Sequence, residues 1–378
     1  MPWKEESTMS LKKEFISLAK AEGTNISALC KRFGITRCTG YKWLARFEEQ
    51  GIEGLKEKHR KPLTSPNQTD SSSEKIVIKT RNKHPGWGAR KIKTYLESQG
   101  YVDIPASSTV HDILMRHGLI DITESKKHKP FSRFEHDAPN DLWQMDFKGH
   151  FETDNGRCHP LTILDDHSRF SPGIYAFLNE REDTVKSAMI DVFRKYGLPD
   201  RINTDNGPPW GSSTTAKYTN FSVFLIRLGI KVSHSRPHHP QTNGKIERFH
   251  RSLKAELLNY YRFRNIKEAQ FEFDKWRDCY NIERPHQALE MKTPISRYKA
   301  SVREFPEKLR AIEYGPDDTV RIVQQRGRIS YKCKDYEVGG AFYGEPVALR
   351  HTDEDSIVKV YYCHQQIAQI DLKKPRGE

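Results

Sequence analysis

A chain of 378 residues exceeds one ordinary hydrophobic core, so two to four domains are expected. Its 63 Lys and Arg against 50 Asp and Glu leave a net charge of +13, which makes a polyanion, nucleic acid first, the default partner. No run approaches the roughly 20 apolar residues of a membrane span, and the opening MPWKEESTMSLKKEF lacks the apolar centre of a signal peptide, so a cytosolic protein without a membrane partner is expected. The six cysteines are scattered, with no CxxC pair and no zinc-finger spacing; they read as reduced structural thiols with no zinc site.

Residues 9–50 hold three helical patterns, the second and third separated by Phe33-Gly34-Ile35-Thr36. Ile26, Leu29, Cys30 and Phe33 share one face, Gly34 supplies a turn, and the third helix directs Tyr41, Leu44 and Phe47 inward. Arg37, Thr39, Lys42 and Arg46 then face outward, suited to phosphates and groove edges, and residues 1–62 read as a helix-turn-helix DNA-binding domain. A small bundle with a solvated basic face is the bland reading. Charge favours the first, because residues 1–140 carry 25 basic against 17 acidic side chains.

Residues 63–73, rich in Ser, Thr and Pro, form a linker without periodicity. Residues 74–138 follow as a second helical DNA-binding domain, whose basic side chains are Arg81, Lys83, Arg90, Lys91 and Lys93. Ser107 or Ser108 is expected to cap its third helix and Gly118 to end it.

From 139 the period changes to that of strands. Strands are expected over 142–151, 158–165, 170–177, 201–204 and 231–233, and helices over 182–196, 216–228, 242–259 and 265–282, giving an α/β sheet covered by helices across 139–300. Short alternating segments over 301–378 suggest a small β-barrel.

Three acids stand out on these elements. In LWQMDFKGHF, alternation sends Asp146 to the Gln144 side, away from Met145, and an acid within an apolar strand is costly unless paired or bound to a metal. Asp205 ends the strand RINTDNG, where ligands of open α/β sheets gather, although Asp-Asn-Gly is also an ordinary turn. Glu247 shares a helix face with Arg251 and Lys254, apart from the stripe Ile246, Leu253 and Leu257; a surface salt bridge is its bland reading. Carboxylates on rigid elements suit hard divalent cations, and two such ions neutralise a phosphodiester under attack.

The joint pattern of WQMDF, INTDNGPPW and HHPQTNGKIERFHRSLK, with LTILDDHSRF and YNIERPHQAL around it, resembles insertion-sequence transposases of the DDE family with a retroviral-integrase type of core. The likeness covers roughly residues 140–300. It implies a ribonuclease-H-like core in which Asp146, Asp205 and Glu247 bind two Mg²⁺ ions, with Mn²⁺ substituting. It implies that Lys254 contacts the element's end, and Asn206, His239, Lys245, Arg248 and Arg251 are the further candidates for DNA contact. It also implies end cleavage and joining to target DNA, and a nucleoid-associated homo-oligomer, dimer or larger, on that DNA. The second and third acids lie further apart than in many relatives, and GPPWGSSTTAKYT is expected to absorb the excess as a loop. Two other classes compete: a helix-turn-helix regulator with an inactive core, and a ribonuclease-H-type nuclease acting on RNA–DNA hybrids.

Overall fold

The computed structural model describes residues 7–57, 69–120, 135–205, 207, 209–211, 218–234, 244–352 and 356–373; the chain forms two compact units, Met1–Gln68 and Thr69–Glu378. Among the described residues no helix is long and apolar enough to cross a membrane.

The first unit contains α1 (Thr8–Ala19), α2 (Ile26–Arg32) and α3 (Arg37–Gln50). Asn25 caps α2 by accepting the Ser27 and Ala28 amides, and Thr36 caps α3 by accepting that of Thr39. Between them Gly34 takes φ +64°, a conformation only glycine adopts cheaply. Phe15, Ile16, Leu29, Cys30, Trp43 and Leu55 are buried together, with Leu44 and Phe47 packed against them. Tyr41 departs from expectation, being 51% exposed, whereas Trp43 is 6% exposed and takes the inward place. The cause is a close crossing at Gly40, where an added Cβ would meet Cys30 Sγ at 2.5 Å. That contact turns the 40, 43, 44, 47 arc toward α1 and α2.

The second unit begins with α4 (Ser71–Lys83), α5 (Ala89–Ser98) and α6 (Ser107–Arg116) around Val77, Trp87, Ile92, Leu96, Val110 and Ile113. Asp70 caps α4, so residues 71–73 of the stretch read as linker form its first turn; residues 63–68 lie outside the described residues. Neither serine caps α6, because Ala106 occupies the N-cap without a side-chain bond, while Gly118 follows its end at φ +65°. Of the basic side chains, Arg81 donates to the Trp87 and Leu119 carbonyls and Lys93 pairs with Glu97. Arg90 and Lys91 line a cleft with Ser107, Ser108, His111 and Gln287.

The central sheet contains β1 (Trp143–Phe147), β2 (Phe151–Thr153), β3 (Gly156–Asp165), β4 (Gly173–Phe177), β5 (Arg201–Thr204) and β6 (Lys231–His234). Its order is β2-β3-β1-β5-β6, with β4 also paired to β3; β1, β5 and β6 run parallel and the remaining pairs antiparallel. The single strand expected over 142–151 is two, β1 and β2, broken near Gly149 at φ +85°. β3 is long enough to pair with both. Alternation splits the core between two faces. Trp143, Met145, Leu161, Ile163 and Ile202 pack with α7 (Glu182–Tyr196) and α8 (Asn220–Arg227). Cys158, Leu164, Ile174 and Ala176 pack with Phe249 and Leu253 of α9 (Gly244–Leu253) and Phe273 and Trp276 of α10 (Ile266–Asp278).

The C-terminal segment corrects the expected barrel. β7 (Thr319–Ile322), β10 (Pro346–His351), β11 (Ile357–Tyr362) and β12 (Gln365–Asp371) form an open sheet in the order β12-β11-β10-β7, beside a separate hairpin of β8 (Arg328–Tyr331) and β9 (Lys334–Glu337). Alternating strands specify one buried face each; they do not specify closure, and here that face is covered by another part of the unit. Tyr218, Val223 and Ile226, at and within α8, share a core with Val347, Val358 and Val360. Gln365 also accepts the Val232 amide at 2.9 Å and donates to the Val232 carbonyl at 3.1 Å, occupying the open edge of β6.

Candidate active site

Register brings the first two acids together. Trp143 pairs with Ile202 and Gln144 with Asn203 in parallel, so Asp146 and Asp205, each two residues further on, point to the same face at neighbouring strand ends. Asp146 lies opposite Thr162 of β3. The Asp205 carboxylate accepts the Gly207 amide at 3.2 Å, closing a tight turn. His234 Nδ1 lies 3.0 Å from the Asp205 carbonyl and 3.1 Å from Thr204 Oγ1.

The third acid arrives on α9, which lies over that face. Gln144 fixes its start by accepting the Ile246 amide at 3.1 Å while donating to Asp166 Oδ1 at 3.0 Å. Asp166 also binds the Lys245 ammonium and accepts the His136 amide at 3.0 Å. Ile246, Phe249 and Leu253 are buried, leaving Glu247, Arg251 and Lys254 exposed on the other side, as the helical period requires. Beyond α9 a π-turn (Lys254–Leu258) carries Glu256, which binds Arg284 through several contacts of 2.8–3.2 Å and accepts Trp276 Nε1–H at 3.3 Å. The buried Arg284–Glu256 pair holds the helix from behind. Gln144→Leu would leave the Ile246 amide and one Asp166 oxygen without this partner, and the expected cost is about 2 kcal/mol in urea unfolding. An unchanged midpoint would show that Gln144 does not secure the helix.

Electrostatics couples the acids. The Asp146 carboxyl is pushed up to about 7, first by burial, then by the charge of Asp205, with Glu247 and Glu180 adding to it against the Phe147 amide. Burial also raises Asp205, against its bond from Gly207 and the nearby His234. No Lys or Arg pairs with Asp146 or Asp205 among the described residues, so a hard oxygen donor set with uncompensated negative charge faces solvent, and this fits a divalent cation. The three acids do not all lie within 4.8 Å of one another; a His, Cys and Glu cluster elsewhere does.

Two neighbours carried no signal in the sequence. His250, one turn beyond Glu247, has Nε2 at 2.6 Å from Thr162 Oγ1 and Nδ1 at 4.0 Å from Asp146 Oδ2. Thr162 Oγ1 donates to the Asp146 carbonyl at 2.9 Å, so the ring donates from Nε2 and turns its Nδ1 lone pair toward Asp146. Burial, with Lys148 nearby, pushes this imidazole down to about 3 and keeps it neutral. Glu180, held by His159 at 2.8 Å, adds a fourth acid within electrostatic reach. Its place next to the site depends on the strand-to-helix turn before α7.

The remaining candidates divide. Lys245 is engaged by Asp166, with 16% of its side chain exposed; Arg248 and Arg251 are exposed on α9 and Lys254 at the start of the π-turn that follows it. Asn206 and His239 lie outside the described residues. Within GPPWGSSTTAKYT, Trp210 is buried against Phe147 and Phe221, so this part of the stretch is anchored in the core. Trp143 and Trp276 are buried too. Asp165 accepts the Asn140 and Ser168 amides at 2.7 Å and serves its turn. In the first unit Arg37 and Lys42 are exposed on α3, Thr39 bonds to Thr36, and Lys42 and Arg46 lie 4.7 and 5.1 Å from the Trp43 ring centroid.

Comparison with known proteins adds independent findings. Residues 136–240 match the family described as Integrase core domain, and residues 228–294 match a second family of that description. Residues 318–377 match the IS481 family transposase C-terminal domain, residues 12–62 a helix-turn-helix domain, and residues 39–114 a homeodomain-like domain. A similar protein is the insertion element IS407 uncharacterized 31.7 kDa protein of Burkholderia multivorans, 28% identical, covering 47% of this chain and 60% of that one. Another is the transposase for insertion sequence element IS904 of Lactococcus lactis, 26% identical over 62% of this chain and 96% of its own. The chain spans about half the length of several curated relatives, 46% for both the Spiroplasma virus putative integrase and the IS476 protein of Xanthomonas euvesicatoria. A solved HTLV-2 integrase catalytic core domain in complex with magnesium is similar at 22% identity, with TM-score 0.34, covering 43% of this chain and 98% of that one.

The helix-turn-helix and integrase-core matches define the class as a DNA-binding protein with an integrase-type, ribonuclease-H-like core. Within that class the matches support an insertion-sequence type of DDE transposase with a retroviral-integrase-like catalytic core.

Proposed function

We propose that this chain binds the ends of a mobile element, cleaves them, and joins the freed 3′-hydroxyls to target DNA by successive transesterifications. The observation that carries this reading is the register of β1 and β5, which sets Asp146 and Asp205 side by side at parallel strand ends beneath the helix bearing Glu247. Asp146, Asp205 and Glu247 would hold two Mg²⁺ ions, with Mn²⁺ substituting, which supply charge neutralisation at the phosphodiester and a deprotonated oxygen nucleophile.

The protein's own part is positioning. Gln144 and Asp166 fix the start of α9, Glu256 and Arg284 fix its end, and Thr162 with His250 holds the β1 end carrying Asp146. Arg251 and Lys254 would receive phosphates of the element's end, a role their exposure beside Glu247 supports, and joining two ends calls for a dimer or larger assembly on DNA. With Mg²⁺ and labelled element-end DNA, joined products are the expected result. Hydrolysis without joining would make the chain a nuclease, and binding without either reaction a regulator with an inactive core.

End recognition falls to α3. Replacing Arg37, Lys42 and Arg46 together by Ala is expected to weaken binding to element ends at least tenfold more than binding to random DNA. Equal losses on both, with a salt slope reduced by about 0.9 per residue, would make them phosphate contacts alone.

A further inference from the structure

A second cluster of metal-ligating side chains lies far along the chain from the acidic triad, where the helical module of the second unit meets the end of α10. His84 follows α4, and Cys279 and Glu283 lie on the π-turn (Cys279–Glu283) that continues α10. Four positions apart on one turn, those two present their side chains to the same side. One ligand atom from each of His84, Cys279 and Glu283 lies within 4.8 Å of the other two.

We infer that His84, Cys279 and Glu283 form a site for one Zn²⁺ ion, or a divalent ion of similar softness, that clamps the helical module of residues 69–120 to the catalytic core. His84 Nδ1 is 3.8 Å from Cys279 Sγ. Around a tetrahedral zinc, with bonds of about 2.3 Å to sulfur and about 2.0 Å to nitrogen, those atoms sit about 3.5 Å apart. The imidazole is already oriented, stacked on Trp87 at a centroid distance of 3.9 Å and an interplanar angle of 9°. His84 is 9% exposed, and its Nε2 has no partner among the described residues, so nothing there fixes a tautomer that would deny the Nδ1 lone pair to a metal.

Charge balance supports the same ion. A thiolate, a carboxylate and a neutral imidazole carry two negative charges, which a divalent cation cancels in a partly buried setting. A thiol hydrogen bond to the ring would account for His84 and Cys279 alone, with Glu283 outside it and 41% exposed. Glu283 is otherwise met by the Tyr95 hydroxyl at 3.5 Å and by Lys83 at 3.9 Å, both longer than a strong bond, and the Lys83 side chain is 61% exposed. Three protein ligands leave a fourth position for water. The mixed S, N, O donor set distinguishes this site from the all-oxygen triad, so the inference stands independently of the proposed strand-transfer activity.

The test uses the full chain, stripped with a chelator and kept reduced without thiols. Titration with Co²⁺ is expected to give a thiolate-to-cobalt absorption band saturating at one equivalent, bleached by Zn²⁺, lost in Cys279→Ala and retained in Glu247→Gln. On wild-type protein, which removes any question of variant folding, Zn²⁺ is expected to slow alkylation of Cys279 at least tenfold by peptide mass spectrometry, while the exposed Cys38 and Cys333 are unaffected. Absence of the band, its survival in Cys279→Ala, or alkylation of Cys279 indifferent to Zn²⁺ would each overturn the assignment.

Discussion

Glu247→Gln is expected to fold, bind element ends, and lose both cleavage and joining by at least about a thousandfold, or some 4 kcal/mol of barrier. The amide keeps the size and helix propensity of the original, and the side chain is exposed on α9, so the fold does not depend on its charge. What disappears is the third carboxylate of the acidic set. End binding should hold or rise slightly, because a negative charge beside the phosphates has gone. Lys254→Ala should behave differently, with cleavage reduced through looser substrate positioning and partly restored at high DNA concentration. Near-normal joining by Glu247→Gln would return this residue to an ordinary surface acid and leave the site to Asp146, Asp205 and Glu180.

Asp146→Asn is expected to abolish joining to a similar degree while making the metal-free protein more stable at pH 8. The sign follows from the direction of the shift. With the folded carboxyl near 7 and an ordinary value of 3.8, the folded state binds more protons across that interval, so this group lowers stability as pH rises from about 4 to 7. Removing the charge removes the penalty. The full shift corresponds to about 4 kcal/mol, and partial exposure reduces it to roughly 1–2 kcal/mol, a few degrees of Tm. Thermal unfolding in EDTA at pH 4.5 and pH 8 measures it: the variant should match wild type at the lower pH and exceed it at the higher. Mg²⁺ should raise the wild-type Tm and leave the variant unmoved. A variant less stable than wild type at pH 8 would show that Asp146 is held by partners rather than strained by its neighbours.

Much of the scaffold was legible because it obeys local periods. The strand of Asp146, the strand end of Asp205 and the helix of Glu247 follow from two-residue alternation and from 3.6-residue amphipathy, and all three elements stand where those periods put them. The features that escaped depend on contacts distant in sequence. Asp166 reads as a turn residue from its neighbours, yet it ties Gln144 and Lys245, 22 and 79 positions away, into one brace. His250 next to Asp146 requires β3 to place Thr162 between them. In α3, Tyr41 and Trp43 exchange roles because the close passage at Gly40 rotates the helix, which propensity and spacing do not encode. The open C-terminal sheet has the same origin, since alternation cannot tell a closed barrel from a sheet whose inner face is covered by α8.

The Gln365 side chain on β6 has a bearing on solubility. A primary amide that accepts from Val232 N–H and donates to Val232 C=O does what the peptide group of an adjoining strand would do, so the catalytic sheet ends on a side chain where it could have ended on a free ladder. A chain truncated before β7 would uncover that ladder together with the apolar side chains of Tyr218, Val223 and Ile226. Such a fragment has both requirements for edge-to-edge stacking between molecules, unpaired main-chain groups and a neighbouring greasy surface, and it should aggregate at concentrations where the full chain stays dispersed.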